Sequence, residues 1–150
     1  MGSRRDFISD ITGTSAALCC IPAAVLLDGC TTVKTIQASV VRGKLVVAKA
    51  MFSEAKFVIV NNETLKAPVY LSQASDDSYR AFLMVCTHKE CELRPTGTFL
   101  SCPCHGSEFS NTGKVLKGPA MDALNEYRVE LNAQKIEIDL NQTLNHGKEN

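Results

Sequence analysis

From Ile36 onward the chain is a succession of short apolar or alternating runs separated by turn residues. The runs are Ile36–Val41, Lys44–Ala50, Lys56–Val60, Pro68–Ser72 and Arg80–Val85, with Arg42-Gly43, Asn61-Asn62 and Asp76-Asp77 as the punctuation. Many of their residues are β-branched or aromatic, the side chains that suit a pleated, half-buried surface. Thr98–Ser101 is a shorter run of the same kind. Further on, Tyr127, Val129 and Leu131 alternate with charged neighbours, and so do Ile136, Ile138 and Leu140. That period of two predicts a closing hairpin of Glu126–Leu131 and Lys135–Leu140, each with one face inward. The pattern as a whole predicts an all-β protein of small antiparallel sheets. From Asn141 the sequence turns polar, so residues 141–150 are expected to be a mobile tail in which His146 is solvated.

The front of the chain follows a different pattern. Ile11–Leu27 is apolar over about 17 residues, near the lower limit for a membrane span, and contains Gly13 and Pro22. Before it, Ser3-Arg4-Arg5-Asp6-Phe7-Ile8 resembles a twin-arginine export signal. After it, Leu27-Asp28-Gly29-Cys30 resembles a lipobox in its leucine, glycine and cysteine, though not in its aspartate. Cleavage there would make Cys30 a lipidated first residue; without cleavage the stretch would be an N-terminal anchor. Either way, the rest of the chain is expected to be exported and held at the extracytoplasmic face of a membrane. On this division residues 1–29 are the signal, 30–35 a polar tether and 36–140 one domain.

Composition narrows the function classes. Lysine plus arginine and aspartate plus glutamate both total 16 over 150 residues, giving a formal net charge of zero. With no basic run, nothing points to nucleic acid. About 120 residues beyond Cys30 suffice for one small core.

The chemistry is concentrated in two stretches, Cys86-Thr87-His88-Lys89-Glu90-Cys91 and Cys102-Pro103-Cys104-His105-Gly106-Ser107-Glu108-Phe109. Each offers one cysteine and one histidine as a ligand pair and carries a further cysteine. Zinc accepts two sulfurs and two nitrogens, but a zinc site leaves Cys91, Cys104 and Gly106-Ser107 without a reason. Thioredoxin-type and c-type haem motifs need Cys-x-x-Cys, and Cys102–His105 is one residue short of both. Together the stretches resemble the cluster-binding loops of the Rieske [2Fe–2S] proteins, in their disulfide-containing, high-potential, exported form. The specific likeness covers about Arg80–Ala120; elsewhere it rests on the strand pattern.

The resemblance implies a Rieske-type antiparallel β-sandwich with a small inserted cluster-binding subdomain. It implies one [2Fe–2S] cluster per chain, with Cys86 and Cys102 on one iron and His88 and His105 on the other. Neutral imidazoles load less negative charge onto the cluster than thiolates, so the potential is raised. An iron-bound imidazole can lose its outer proton, so that potential should fall with rising pH, and the histidines should lie at the domain tip. Cys91 and Cys104 would form a disulfide tying the loops together, worth roughly 3 kcal/mol in the chain-entropy model. Around the cluster, Ser107 would donate to a bridging sulfide, and Gly118-Pro119-Ala120 would be the family's Pro loop. Phe109 stands where many quinol-oxidising members carry a tyrosine donor, which implies a lower potential than theirs. The seven cysteines are then all assigned, with Cys19 and Cys20 in the signal and Cys30 as the lipid site. Only 13 residues separate His88 from Cys102, which predicts a tight hairpin between the loops.

One-electron transfer is the activity this implies, with no nucleophile, base or substrate pocket beyond the cluster. The first expectation is a membrane-tethered electron carrier or small redox subunit of an oxidoreductase. Its redox partner would be a cytochrome, a quinol-oxidising complex or a molybdenum enzyme. The second is the Rieske subunit of a quinol–cytochrome c reductase of the bc1/b6f type. Against the second, Lys89-Glu90 replaces the usual Leu-Gly, and a charged pair is costly to bury in an apolar pocket. A binding or sensor module without redox turnover is a third class.

Overall fold

The computed structural model describes residues 33–75 and 78–144. The twin-arginine motif, the apolar stretch Ile11–Leu27, Cys30, the Asp76-Asp77 turn and His146 lie outside them. Among the described residues no helix is long and apolar enough to cross a membrane.

Twelve strands are described: β1 Thr35–Gln37, β2 Val40–Val41, β3 Lys44–Ala48, β4 Phe57–Asn61, β5 Val69–Ser75, β6 Ser78–Leu83, β7 Arg94–Pro95, β8 Phe99–Ser101, β9 Glu108–Ser110, β10 Val115–Lys117, β11 Glu126–Leu131 and β12 Lys135–Leu144. Eight form one sheet in the order β1-β4-β5-β6-β11-β12-β3-β2; four form a second, β10-β9-β8-β7. The expected all-β architecture is present. So is the inserted subdomain: β7–β10 leave the large sheet after β6 and return to it at β11, and β6 and β11 are paired neighbours.

The large sheet is curled, and the chain itself shows why. β1 and β2 are its two edges, yet only Ala38 and Ser39 separate them in sequence. Ala38 still donates its N–H to Asn61 O at 3.0 Å, while Val40 already pairs with Leu45 on the other edge. The two edges must therefore lie near one another, which curls the sheet round into a barrel-like shape. The run Ile36–Val41, read as one strand, is thus divided between both edges. Its first part pairs in parallel with β4, the exception to the antiparallel expectation. Arg42 and Gly43, at φ 52° and 78°, make the two-residue turn into β3, where both central residues need positive φ.

Strands β4, β5 and β6 are buried on both faces. Val58, Val60, Val69, Leu71, Ala81 and Leu83 fill the barrel with Leu45, Val47, Ile136 and Ile138. Ile59, Tyr70, Phe82 and Met84 point the other way, onto Leu93, Leu100, Phe109 and Leu124 around the small sheet. This is why Ala81–Cys86 is an unbroken apolar run rather than an alternation. Arg80 and Glu126 lock β6 to β11 through a bidentate pair, Nε–Oε1 2.8 Å and NH2–Oε2 2.6 Å. The expected tail begins later than Asn141: Thr143 and Leu144 pair with Tyr127 and Glu126 across a bulge, so backbone hydrogen bonding extends β12 with exposed side chains.

Tyr70 is 1% exposed, and burial pushes its phenol up to about 12 from 10.0. The unfolded chain therefore loses this proton first as pH rises. The stability contribution is whole below pH 10 and is lost as pH climbs to about 12, on the order of 3 kcal/mol at most. Tyr70→Phe is expected to flatten this alkaline decline in urea unfolding monitored by far-ultraviolet circular dichroism. Tyr127, also raised by burial, leaves a residual slope. Equal alkaline slopes for the variant and the parent would refute the assignment.

Candidate metal centre

Both candidate loops emerge at one end of the subdomain, and both are wired alike. The Cys86 N–H donates to Cys91 O at 2.8 Å, and the Glu90 N–H returns to Cys86 O at 2.9 Å. In the second loop the Cys102 N–H donates to Ser107 O at 2.8 Å, and the Gly106 N–H returns to Cys102 O at 3.0 Å. Each return bond requires a left-handed residue four positions after the cysteine: Glu90 at φ 56° and Gly106 at φ 76°.

These loops bring the four sequence-predicted ligands together as two pairs, Cys86 with Cys102 and His88 with His105. Cys86 and Cys102 are buried at 1% and 2% exposure with free thiols. The rings of His88 and His105 meet edge to face with centroids 5.0 Å apart, His88 half-buried and His105 exposed at the tip. Cys91 and Cys104 form a disulfide. The sulfurs of Cys91, Cys102 and Cys104 lie within 4.8 Å of one another, and since two of them are joined, only Cys102 remains as a thiolate donor there. Burial pushes the Cys102 thiol up, but the backbone N–H groups of Cys104 and His105 and the Cys86 thiol outweigh it and hold the group below its ordinary value. A thiolate is the form that binds metal.

Two hydrogen-bonding groups of these loops are left unmet among the described residues. His88 Nδ1 is buried without a partner, an uncompensated cost unless it carries a ligand bond. Ser107 is fully buried, and its Oγ accepts the Ala120 N–H at 3.0 Å. Its proton goes to no described residue. Soft sulfur and borderline nitrogen donors, two of each, fit an iron–sulfur cluster. The Ser107–Ala120 bond also pins the Gly118-Pro119-Ala120 segment to the second loop. Phe109 is fully buried in the same apolar cluster as Cys86 and Cys102.

A family model described as the Rieske [2Fe–2S] domain matches residues 33–128. The chain belongs to the Rieske [2Fe–2S] family. Curated relatives include the cytochrome b6-f complex iron-sulfur subunits of Chlorobaculum tepidum, 26% identical over 59% of this chain and 43% of the relative, and of Trichodesmium erythraeum, 33% identical over 52% and 38%. The chain thus spans about two-fifths of the length of these relatives. Among solved structures, the cyanobacterial plasma membrane Rieske protein PetC3 of Synechocystis PCC 6803 matches with a TM-score of 0.52 at 31% identity, over 61% of this chain and 93% of that one. A chain from the complex of reduced oxygenase and oxidized ferredoxin in carbazole 1,9a-dioxygenase matches with a TM-score of 0.53 at 22% identity, over 69% and 99%, and shares the fold. The family's cofactor is a [2Fe–2S] cluster, and the donor set present in this Rieske domain fits it.

Sequence reasoning missed three supports of the site. Thr87 Oγ1 donates to Asp122 O at 2.7 Å, tying the first loop to the segment beyond Pro119. The Ala120 N–H holds Ser107, as above. Glu90 occupies the left-handed position that Gly106 fills in the other loop. No spacing rule flags a lone threonine or a backbone N–H. The charge at Glu90 was visible, but its backbone strain was not. That strain is worth about 1–2 kcal/mol for a residue with a Cβ. Its ion pair with Lys66, 3.3 Å and exposed, returns little. Glu90→Gly is therefore expected to stabilise the domain by about 1 kcal/mol, net of the lost pair and of glycine's extra freedom when unfolded. A raised urea midpoint at constant m-value would show it; a lowered one would remove the strain argument.

Proposed function

We propose that this Rieske domain is a one-electron carrier in which Cys86 and Cys102 supply thiolates, and His88 and His105 imidazoles, to one [2Fe–2S] cluster. The unpartnered, buried Nδ1 of His88 beside the exposed ring of His105 carries this reading. When bound, the cluster supplies a reversible one-electron couple whose potential histidine ligation raises. The chain's own residues do the rest. Buried Leu93, Leu100, Phe109 and Leu124 exclude water from the thiolate side. The Cys91–Cys104 bridge and the Ser107–Ala120 bond hold the loops, and the Ser107 proton is available to stabilise added negative charge. The exposed His105 ring gives a partner close approach.

The front of the chain supports export and membrane attachment, by lipid at Cys30 or by an uncleaved anchor. A cofactor inserted in the cytoplasm requires a route for folded cargo, which twin-arginine export provides, and a disulfide forms where oxidation is allowed. In this reading residues 1–29 are the signal, 30–35 the tether, and the partner is a redox protein at the outer face. The names of the b6-f relatives favour a second reading, a quinol-oxidising subunit. Lys89 and Glu90, both exposed beside His88, favour the free carrier or small subunit.

The deciding experiment is a redox titration of the cluster-loaded protein, followed by visible circular dichroism across pH. The expected result is a positive potential that falls at alkaline pH as the ligand imidazoles lose their outer protons. A low potential independent of pH would sink two-histidine ligation. Zinc in place of iron would sink the electron-carrier reading altogether.

A further inference from the structure

Away from the cluster loops, a cleft of about 380 Å³ opens between the barrel and the small sheet. It is lined by Glu54, Lys56, Phe57, Tyr70, Ser72 and Arg80, and closed by the turns at Gly97 and at Asn111-Thr112. Those turns lie at the opposite ends of β8 and β9 from the Cys102–Ser107 loop, so the cleft is separate from the metal centre.

Its floor is polar where a floor should be satisfied. Tyr70 and Ser72 are 1% and 7% exposed and stand two residues apart on one face of β5. Neither hydroxyl makes a hydrogen bond among the described residues. Neither oxygen is sealed off, so both donors open into the cleft, where solvent or a bound ligand can accept from them. Beside them Phe57 and Tyr70 present a tilted aromatic pair with centroids 5.0 Å apart. Lys56 sits at the rim, with Glu54 opposing part of its charge. Arg80 is held in place by its bidentate pair with Glu126, its guanidinium 5.0 Å over the Phe82 ring. Aromatic floor, clustered hydroxyl donors and a rim cation are the parts of a small-molecule site, and the volume suits a ligand of one or two rings.

We propose that this cleft binds a small aromatic carboxylate, its ring against Phe57 and its carboxylate accepting from the Tyr70 and Ser72 hydroxyls, with Lys56 as the counter-charge. The phenol stays protonated through the physiological range and so acts as a donor. The inference is independent of which partner takes the electron.

The test is a titration of the ¹⁵N-labelled, cluster-loaded protein with sodium benzoate, with inorganic phosphate and benzyl alcohol as anion-only and ring-only probes. Benzoate is expected to give saturable shifts in the amides of Lys56, Phe57, Gln73 and Thr112, with weaker binding of the other two. Tyr70→Phe and Ser72→Ala are each expected to weaken benzoate about tenfold, the loss of one hydrogen bond to a charged acceptor. Unfolding midpoints are taken alongside; should Tyr70→Phe fail to fold, Ser72→Ala carries the test. Non-saturating benzoate shifts, phosphate or benzyl alcohol binding as well as benzoate, or undiminished binding in the folded variants would each overturn the proposal.

Discussion

Replacing Cys102 with serine is expected to abolish the visible circular dichroism of the cluster-loaded protein while leaving the far-ultraviolet spectrum of the barrel in place. The position combines the properties of a thiolate ligand: burial, proximity to Cys86, and two backbone N–H groups that draw its thiol below the ordinary value. A serine hydroxyl would receive the same N–H groups but would not ionise, so a soft donor would be lost from the cage. The barrel core shares no residue with this loop, so the barrel should survive. Iron and sulfide content, measured per folded chain, should fall to background. A variant that keeps a full complement of both would exclude Cys102 as a ligand.

The second large effect concerns a residue outside the loops. Gly113 turns β9 into β10 at φ 78°, and a Cβ built there would stand 2.5 Å from Phe82 Cε1 and 2.9 Å from its Cδ1. Phe82 is fully buried between the sheets and has nowhere to move. Shifting the turn instead would stretch the Gly113 N–H bond to Ser110 O and the Leu124 N–H bond to Gly113 O, both 2.9 Å. Left-handed strain of about 1–2 kcal/mol and overpacking of about 1–3 kcal/mol add to an expected loss of about 3 kcal/mol for Gly113→Ala. Gly106→Ala is the control: φ is 76°, but nothing lies within 4 Å of its Cβ, so only the strain applies. Denaturant unfolding should separate the two. Equal losses would mean that Phe82 gives way and that the sheets are not tightly apposed.

The sequence was most legible where one physical requirement acted alone. Ligand spacing pointed to a metal centre because donor type and distance along the chain are fixed by the metal and not by the fold. The β11–β12 hairpin was readable because each strand buries one face only. Strands β9 and β10 were missed: at three residues each, Glu108–Ser110 and Val115–Lys117 are too short to show a period. The end of β12 was missed because Thr143 and Leu144 pair through backbone beyond a bulge, and residues 141–144 leave every side chain exposed. The parallel partner of β1 depends on the sheet curling round, which no local pattern encodes. Within the site, Thr87 and Ala120 act through single hydrogen bonds that leave no mark on spacing.

The two-faced strand β6 restricts how this chain can change in length. Ala81, Leu83 and Val85 belong to the barrel; Phe82, Met84 and Cys86 belong to the metal side. The run therefore works by parity, each position odd or even with respect to the sheet. Loss or gain of one residue between Arg80 and Cys86 would hand the thiol to the barrel interior and the barrel's aliphatic side chains to the cage. Among descendants of this sequence, changes of length should accumulate in the turns, and any within this run should come in pairs.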